Sequence, residues 1–168
     1  MKIAILTTKI QWFEPYAEEL SRKLGNIPIF NNHVDFDGNY DIIFIISYHK
    51  IIPQEVLKKN GHNIIFHESL LPKGKGWAPL FWQILEGKSN ISFTMIEASD
   101  GVDSGDIYMQ KMLELVGNEL NEKLRDKQAK LTIKMCLEFV NNYEKYKVPV
   151  EQSGDESFYA KRSKEDSR

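Results

Sequence analysis

The sequence is poor in features that would commit it to a compartment or a polymer. It has one cysteine, Cys136, so no disulfide can form within the chain, and a reducing environment is the natural expectation. No apolar run approaches the roughly 18 residues of a membrane span. The apolar start Met1–Thr7 is followed at once by Lys9, Trp12 and Glu14, with no cleavage-like small-residue site. Neither a membrane association nor a secretory signal is expected, and the cytoplasm is the simplest location. Excess charge of one sign is also absent: 22 Lys and Arg stand against 24 Asp and Glu, a formal net charge of -2. A general nucleic-acid surface is therefore not expected. There is no G-x-G-x-x-G after the first apolar run, no P-loop and no internal repeat. Asp100, Asp103 and Asp106 are crowded together, but no glutamate closes an EF-hand loop, so no metal site is expected.

What is present is an alternation of short apolar runs and helical patterns. Lys2–Thr7, Ile27–Phe30, Asp41–Ser47, Asn63–Phe66, Ile91–Ala98 and Ile107–Met109 read as strands, the third carrying five apolar residues in sequence. Unbroken runs of this kind suit strands buried on both faces. Helices are expected at Pro15–Leu24, Pro53–Lys59, Leu80–Leu85 and Glu119–Tyr143. In the last of these, Leu120, Leu124, Leu131, Met135 and Phe139 make a stripe for packing on a sheet. Its other face, with Glu122, Lys123, Arg125, Asp126 and Lys127, reads as exposed, so a homodimer, if formed, would use another surface. Cys136 falls on the apolar side and reads as a core thiol. Together these predict an α/β fold, a Rossmann-like, mostly parallel sheet with helices on both faces. Residues 1–146 form one domain in this reading. Residues 147–168 form a polar tail or the start of a further segment.

In such sheets ligands sit beyond the carboxyl ends of the strands. Two loops leave strand ends with chemically capable residues, Ser47–Pro53 and His67–Gly76. His67 follows directly on a buried strand, where an imidazole would project into a cleft and transfer protons near neutral pH. Ser69-Leu70-Leu71-Pro72 then makes a turn, and Lys73–Trp77 supplies glycines where backbone can approach a ligand. Asp103, bracketed by Gly101 and Gly105, is the candidate carboxylate partner of the imidazole. Trp77-Ala78-Pro79 frames a candidate second pocket, while Trp82 reads as helix packing.

The ordered set His67-x-Ser69-Leu70-Leu71-Pro72, Gly76, Pro79, Gly87, Thr94 and Asp103-x-Gly105-x-Ile107 resembles the folate-dependent formyltransferases, from about Met1 to Leu131. The resemblance implies a Rossmann-like domain, N10-formyltetrahydrofolate as donor, and His67 and Asp103 in the catalytic positions. It implies that Lys50, Ile51, Ile52, Gly101 and Val102 line the pterin pocket, with Ser69, Lys73, Gly76 and Trp77 on the acceptor side. The run Lys73-Gly74-Lys75-Gly76-Trp77 is most similar to the small sugar-nucleotide enzymes. That points to small-molecule partners, the folate donor and a nucleotide-linked amino sugar. A methionyl-tRNA enzyme, a formyltetrahydrofolate hydrolase and a folate-binding relic without turnover are the alternatives. One position departs from the pattern: Ile65 stands where the family usually has asparagine, and isoleucine cannot donate a hydrogen bond. Asn63 would lie about 13 Å from His67 along a regular strand. Glu68 stands where many members have proline.

Overall fold

The computed structural model describes residues 1–167. Arg168, the last charge of the expected tail, lies outside them. Six strands form one sheet: β1 (Ile3–Leu6), β2 (Ile29–Phe30), β3 (Ile42–Ile45), β4 (His62–His67), β6 (Asn90–Glu97) and β7 (Ile107–Glu114). Their spatial order is β2-β1-β3-β4-β6-β7. The β2, β1, β3 and β4 strands run parallel, whereas β6 and β7 are antiparallel to their neighbours. The sheet is therefore mixed, with the expected parallel half. A second sheet of two short strands pairs β5 (Lys75–Gly76) with β8 (Phe158–Tyr159).

Alternate residues of the parallel strands feed two cores. Ile3, Ile5, Ile42, Phe44 and Ile64 pack with α1 (Glu14–Lys23) and α4 (Asn121–Asn141) through Ala17, Leu20, Ala129, Ile133 and Phe139. Ala4, Leu6, Ile43 and Ile45 face the other way, onto Tyr40 and onto Leu57 of α2 (Gln54–Leu57). Each fully buried Leu, Ile or Phe contributes roughly 1.5–3 kcal/mol by leaving water. This two-sided burial is the cause of the unbroken apolar runs. Cys136 is buried in the first core, and burial pushes its thiol pKa up.

Three expectations are corrected. The β7 strand runs to Glu114 rather than stopping at Met109, because it continues the antiparallel register with β6 while Gln110, Met112 and Glu114 face solvent. The long helix breaks at Asn142 and resumes as the short α5 (Tyr143–Tyr146), and Leu120 is left exposed before its first turn. Trp82, in α3 (Pro79–Leu85), is not helix core. Its indole stacks on Tyr159 and donates to the Ala160 carbonyl at 2.9 Å.

Residues 148–160 return across the sheet's carboxyl end. Val150 bridges Ile107, and the β8 strand pairs with β5. Ser157 Oγ accepts from the Gly74 N–H at 2.8 Å, and Lys75, itself buried, pairs with Glu156 at 2.6 Å. A buried ammonium needs such a partner.

Candidate active site

The strand order reverses between β1 and β3, and the loops leaving those strands open a crevice at their carboxyl ends. This is where a doubly wound sheet binds ligands. The end of β4 delivers His67 to the same place, opposite Thr94 of β6. His67 is 6% exposed. Its Nε2 lies 2.6 Å from the Gly74 carbonyl, to which it donates, and its Nδ1 is 3.5 Å from Asp103 Oδ1. The second separation is ion-pair reach, longer than a hydrogen bond.

Asp103 is held from several directions. Its Oδ2 accepts from the Gly76 N–H at 2.8 Å. Its backbone sits at φ 48°, in the left-handed region that costs an L-residue roughly 1–2 kcal/mol. Gln152 offsets that cost by donating to the carbonyls of Asp103 and Gly105 at 2.7 and 2.8 Å. Gly105 is required where it stands, because a Cβ there would overlap the Glu97 carbonyl. The Asp103-x-Gly105 spacing thus lets the loop cross the end of β6 and aim the carboxylate at His67.

The loop after His67 is shaped by internal bonds. Ser69 Oγ donates to the Lys73 carbonyl at 2.7 Å, and Thr94 Oγ1 donates to the Ser69 carbonyl at 2.6 Å. Gly76 has φ 97°, and a Cβ there would stand 2.6 Å from the Tyr159 carbonyl. Lys73 and Trp77 are exposed, and Lys161 lies over the Trp77 ring at 5.1 Å. None of Ser69, Lys73, Gly76 and Trp77 lines the cavities described below. They build the loop that holds His67 and Asp103.

Two cavities meet at this point. One, of about 430 Å³, is bordered by Lys50, Ile51, Ile52, Gly101, Val102 and Asp103. The five residues expected around one pocket are thus brought together, although three of them come from a loop far away in sequence. The other, of about 340 Å³, is bordered by Trp12, Ser47, His49, Glu68, Arg125 and Gln128. Ile45, Tyr48 and Ile65 line both. Ile65 therefore stands in the wall between them and presents no donor. Asn63 is no substitute: it is buried, and its Nδ2 is engaged by the Leu57 carbonyl and Glu97. Among the described residues no group of three or more His, Cys, Asp or Glu is placed to hold a metal.

Arg125, Gln128 and Trp12 were not singled out as site residues by the sequence. The helical pattern put Arg125 on an exposed charged face. In the fold it is half-buried, its guanidinium 4.7 Å from the Trp12 ring centroid. Burial lowers its pKa, opposed by the nearby Glu68 charge. The spacing of Arg125 and Gln128, one helical turn apart, was the available signal.

The fold and this cleft define a doubly wound α/β chain with a histidine–aspartate pair at its switch point. The chain belongs to the formyl transferase family, whose pattern matches residues 33–140. It is 38% identical over 122 residues to a methionyl-tRNA formyltransferase of Ehrlichia ruminantium, covering 72% of this chain and 40% of that protein. A methionyl-tRNA formyltransferase of Alkaliphilus oremlandii is 30% identical over 148 residues, covering 80% and 47% respectively. The chain thus spans less than half the length of these relatives. Among solved structures, a methionyl-tRNA formyltransferase from Clostridium thermocellum superposes with a TM-score of 0.83 at 22% identity, covering 99% of this chain and 75% of that one. The formyltransferase PseJ from Anoxybacillus kamchatkensis, crystallised with a UDP-linked formamido sugar and tetrahydrofolate, superposes with a TM-score of 0.65 at 22% identity, covering 96% and 86%. These two likenesses bear on the fold alone.

Proposed function

We propose that the chain transfers the formyl group of N10-formyltetrahydrofolate to a primary amine carried by a nucleotide-linked amino sugar. One observation carries this reading: two cavities share the wall of Ile45, Tyr48 and Ile65, and Asp103, the partner of His67, borders the larger of them. Such a pair of cavities suits a donor on one side and an acceptor on the other, meeting in near-attack geometry. The larger cavity, with Ile51 and Val102 exposed at its edge, takes the pterin. The cavity at Trp12 and Arg125 takes the acceptor. The curated relatives act on methionyl-tRNA by name, but this chain spans less than half of them. The run Lys73-Gly74-Lys75-Gly76-Trp77, similar to that of the small sugar-nucleotide enzymes, supports the sugar acceptor.

In the reaction the amine nitrogen bonds to the formyl carbon and the carbonyl oxygen becomes an oxyanion. The bond from that carbon to N10 then breaks. The nitrogen that attacked loses a proton and N10 gains one. With Ile65 unable to donate, the His67 imidazole is the donor to the oxyanion. It turns its N–H from the Gly74 carbonyl toward the substrate while Asp103, 3.5 Å from Nδ1, orients the ring. The same ring, Asp103 or a water relays the proton to N10.

The test is turnover with N10-formyltetrahydrofolate, a panel of nucleotide-linked amino sugars, charged initiator tRNA and a no-acceptor control. Tetrahydrofolate release and product mass are followed. A formylated amino sugar supports the reading. Formylated methionyl-tRNA replaces the acceptor. Formate released without any acceptor makes the chain a hydrolase, and folate binding with no turnover makes it a relic.

A further inference from the structure

The Arg125 guanidinium is a half-buried cation that no ion pair among the described residues accounts for. Its Nη1 donates to Gln128 Oε1 at 2.9 Å, and its face rests on Trp12. Among the described residues no carboxylate oxygen lies within 4.0 Å of it. Gln128 is 2% exposed and donates to Glu68 Oε1 at 2.5 Å, so the amide sits between the two charges and fixes both. A guanidinium has five N–H donors in a planar fork, and a neutral amide takes one. Half-burying such a group costs solvation, which one amide and an aromatic face offset in part. Stacking on an aromatic ring and a buried amide instead hold it ready for a ligand oxyanion, the role in which arginine exceeds lysine.

The same Arg125 also borders a third cavity, of about 200 Å³, which abuts the acceptor cavity along Glu68, Arg125 and Gln128. Arg162, from the returning C-terminal segment, lines it too, and its guanidinium lies 3.7 Å over the Phe81 ring. Two guanidinium groups from distant parts of the chain thus flank one small cavity, each laid on an aromatic face. Glu68 sits at the junction with the acceptor cavity.

We propose that this junction binds the diphosphate of the acceptor between Arg125 and Arg162. The amine-bearing sugar then lies in the acceptor cavity of about 340 Å³, against Ile65. Among the described residues lining these two cavities Glu68 is the one carboxylate, and it favours the amine end of the incoming molecule. The inference rests on the nucleotide-linked amino sugar reading above and names the residues that select it.

The experiment measures binding of UDP and dTDP to the full chain by calorimetry and Trp fluorescence, with uridine and thymidine as phosphate-free controls. It uses the wild type, Arg125→Ala, Arg125→Lys and Arg162→Ala, and folate affinity is measured on each. The expected result is about a tenfold or greater loss of diphosphate affinity in Arg125→Ala, partly restored in Arg125→Lys. Arg162→Ala loses several-fold, and nucleoside and folate binding are unchanged. Arg162 is exposed on the returning segment, so its variant stands if Arg125→Ala fails to fold. Undiminished diphosphate binding in both variants, with amino sugars still formylated, overturns this inference and leaves the reading above intact. A wild type that binds neither diphosphate, yet formylates another amine, overturns both.

Discussion

The loop from His67 to Trp77 is fastened along its length, while Ile51 and Val102, on the edges that face it across the cleft, stand out in solvent. Gly74, Lys75 and Trp77 bond through their backbones to Ser157 and Tyr159, Gly76 bonds to Asp103, and Glu68 accepts from Gln83. On the other side Ile51 is 93% exposed and Val102 is 64% exposed. One side-chain bond, Gln54 to Asp100 at 2.5 Å, joins those two loops. The His67–Asp103 pair is held by a built scaffold, and the edge proposed for the pterin is left exposed. Chemistry needs fixed geometry more than binding does, since misplacement of a reacting group by about 1 Å can cost a hundredfold in rate.

Breaking the fixed side at its centre has the largest expected effect. His67→Ala lowers kcat by about a hundredfold or more with folate affinity nearly unchanged, checked by steady-state kinetics beside folate titration. A His67→Ala chain of near wild-type activity would remove histidine from the mechanism. Next is Gly76→Ala, which forces a Cβ against the Tyr159 carbonyl at φ 97°. We expect a loss of about 2 kcal/mol in denaturant unfolding, with activity falling further than stability because Gly76 also donates to Asp103. Gln152→Ala acts more gently. It removes two hydrogen bonds from the Asp103 loop and should reduce kcat about five- to tenfold while KM for folate stays put. An unchanged kcat would make Gln152 a passive brace.

The smallest effect sharpens the comparison from outside the cleft. Glu119 accepts from the Val116 and Gly117 N–H groups and from Lys127, which brings its pKa down to about 2. A depressed carboxyl gives stability that is present above its unfolded pKa and lost as pH falls toward about 2. Glu119→Gln should flatten that acid limb, read from thermal unfolding across the pH range, and leave kcat at neutral pH alone.

Much of this was legible in the sequence because two-sided burial writes itself as continuous apolar runs. The β1 and β3 strands, α1 and the position of His67 follow from that rule. Asp103 was legible through its bracketing glycines, one of which is forced by the Glu97 carbonyl. The antiparallel turn of β6 and β7 was not, because Lys111 and Gln110 interrupt the alternation and the pairing is a property of the sheet. Arg125 was misread for a related reason. Helical periodicity places it among Glu122, Lys123 and Asp126, and only the loop after β1 brings Trp12 over it. The docking of the tail had no signal, since a two-residue strand is below what any pattern resolves. Its anchors, Ser157, Tyr159 and Glu156, are ordinary polar and aromatic residues.

That tail has a consequence for the order in which the molecule is made. Synthesis proceeds from the amino end, and early segments begin to fold first. The sheet strands, His67 and Asp103 all emerge before Gln152 and Ser157. During that interval the His67 loop has no β8 to pair with, and Lys75 lacks the Glu156 carboxylate that meets it in the finished fold. The sheet can therefore form while the site stays open, and the clasp across some eighty residues closes as a late, non-local step. Such steps carry the loop-closure entropy that slows folding. A nascent chain is thus a folded scaffold before its His67–Asp103 cleft is complete.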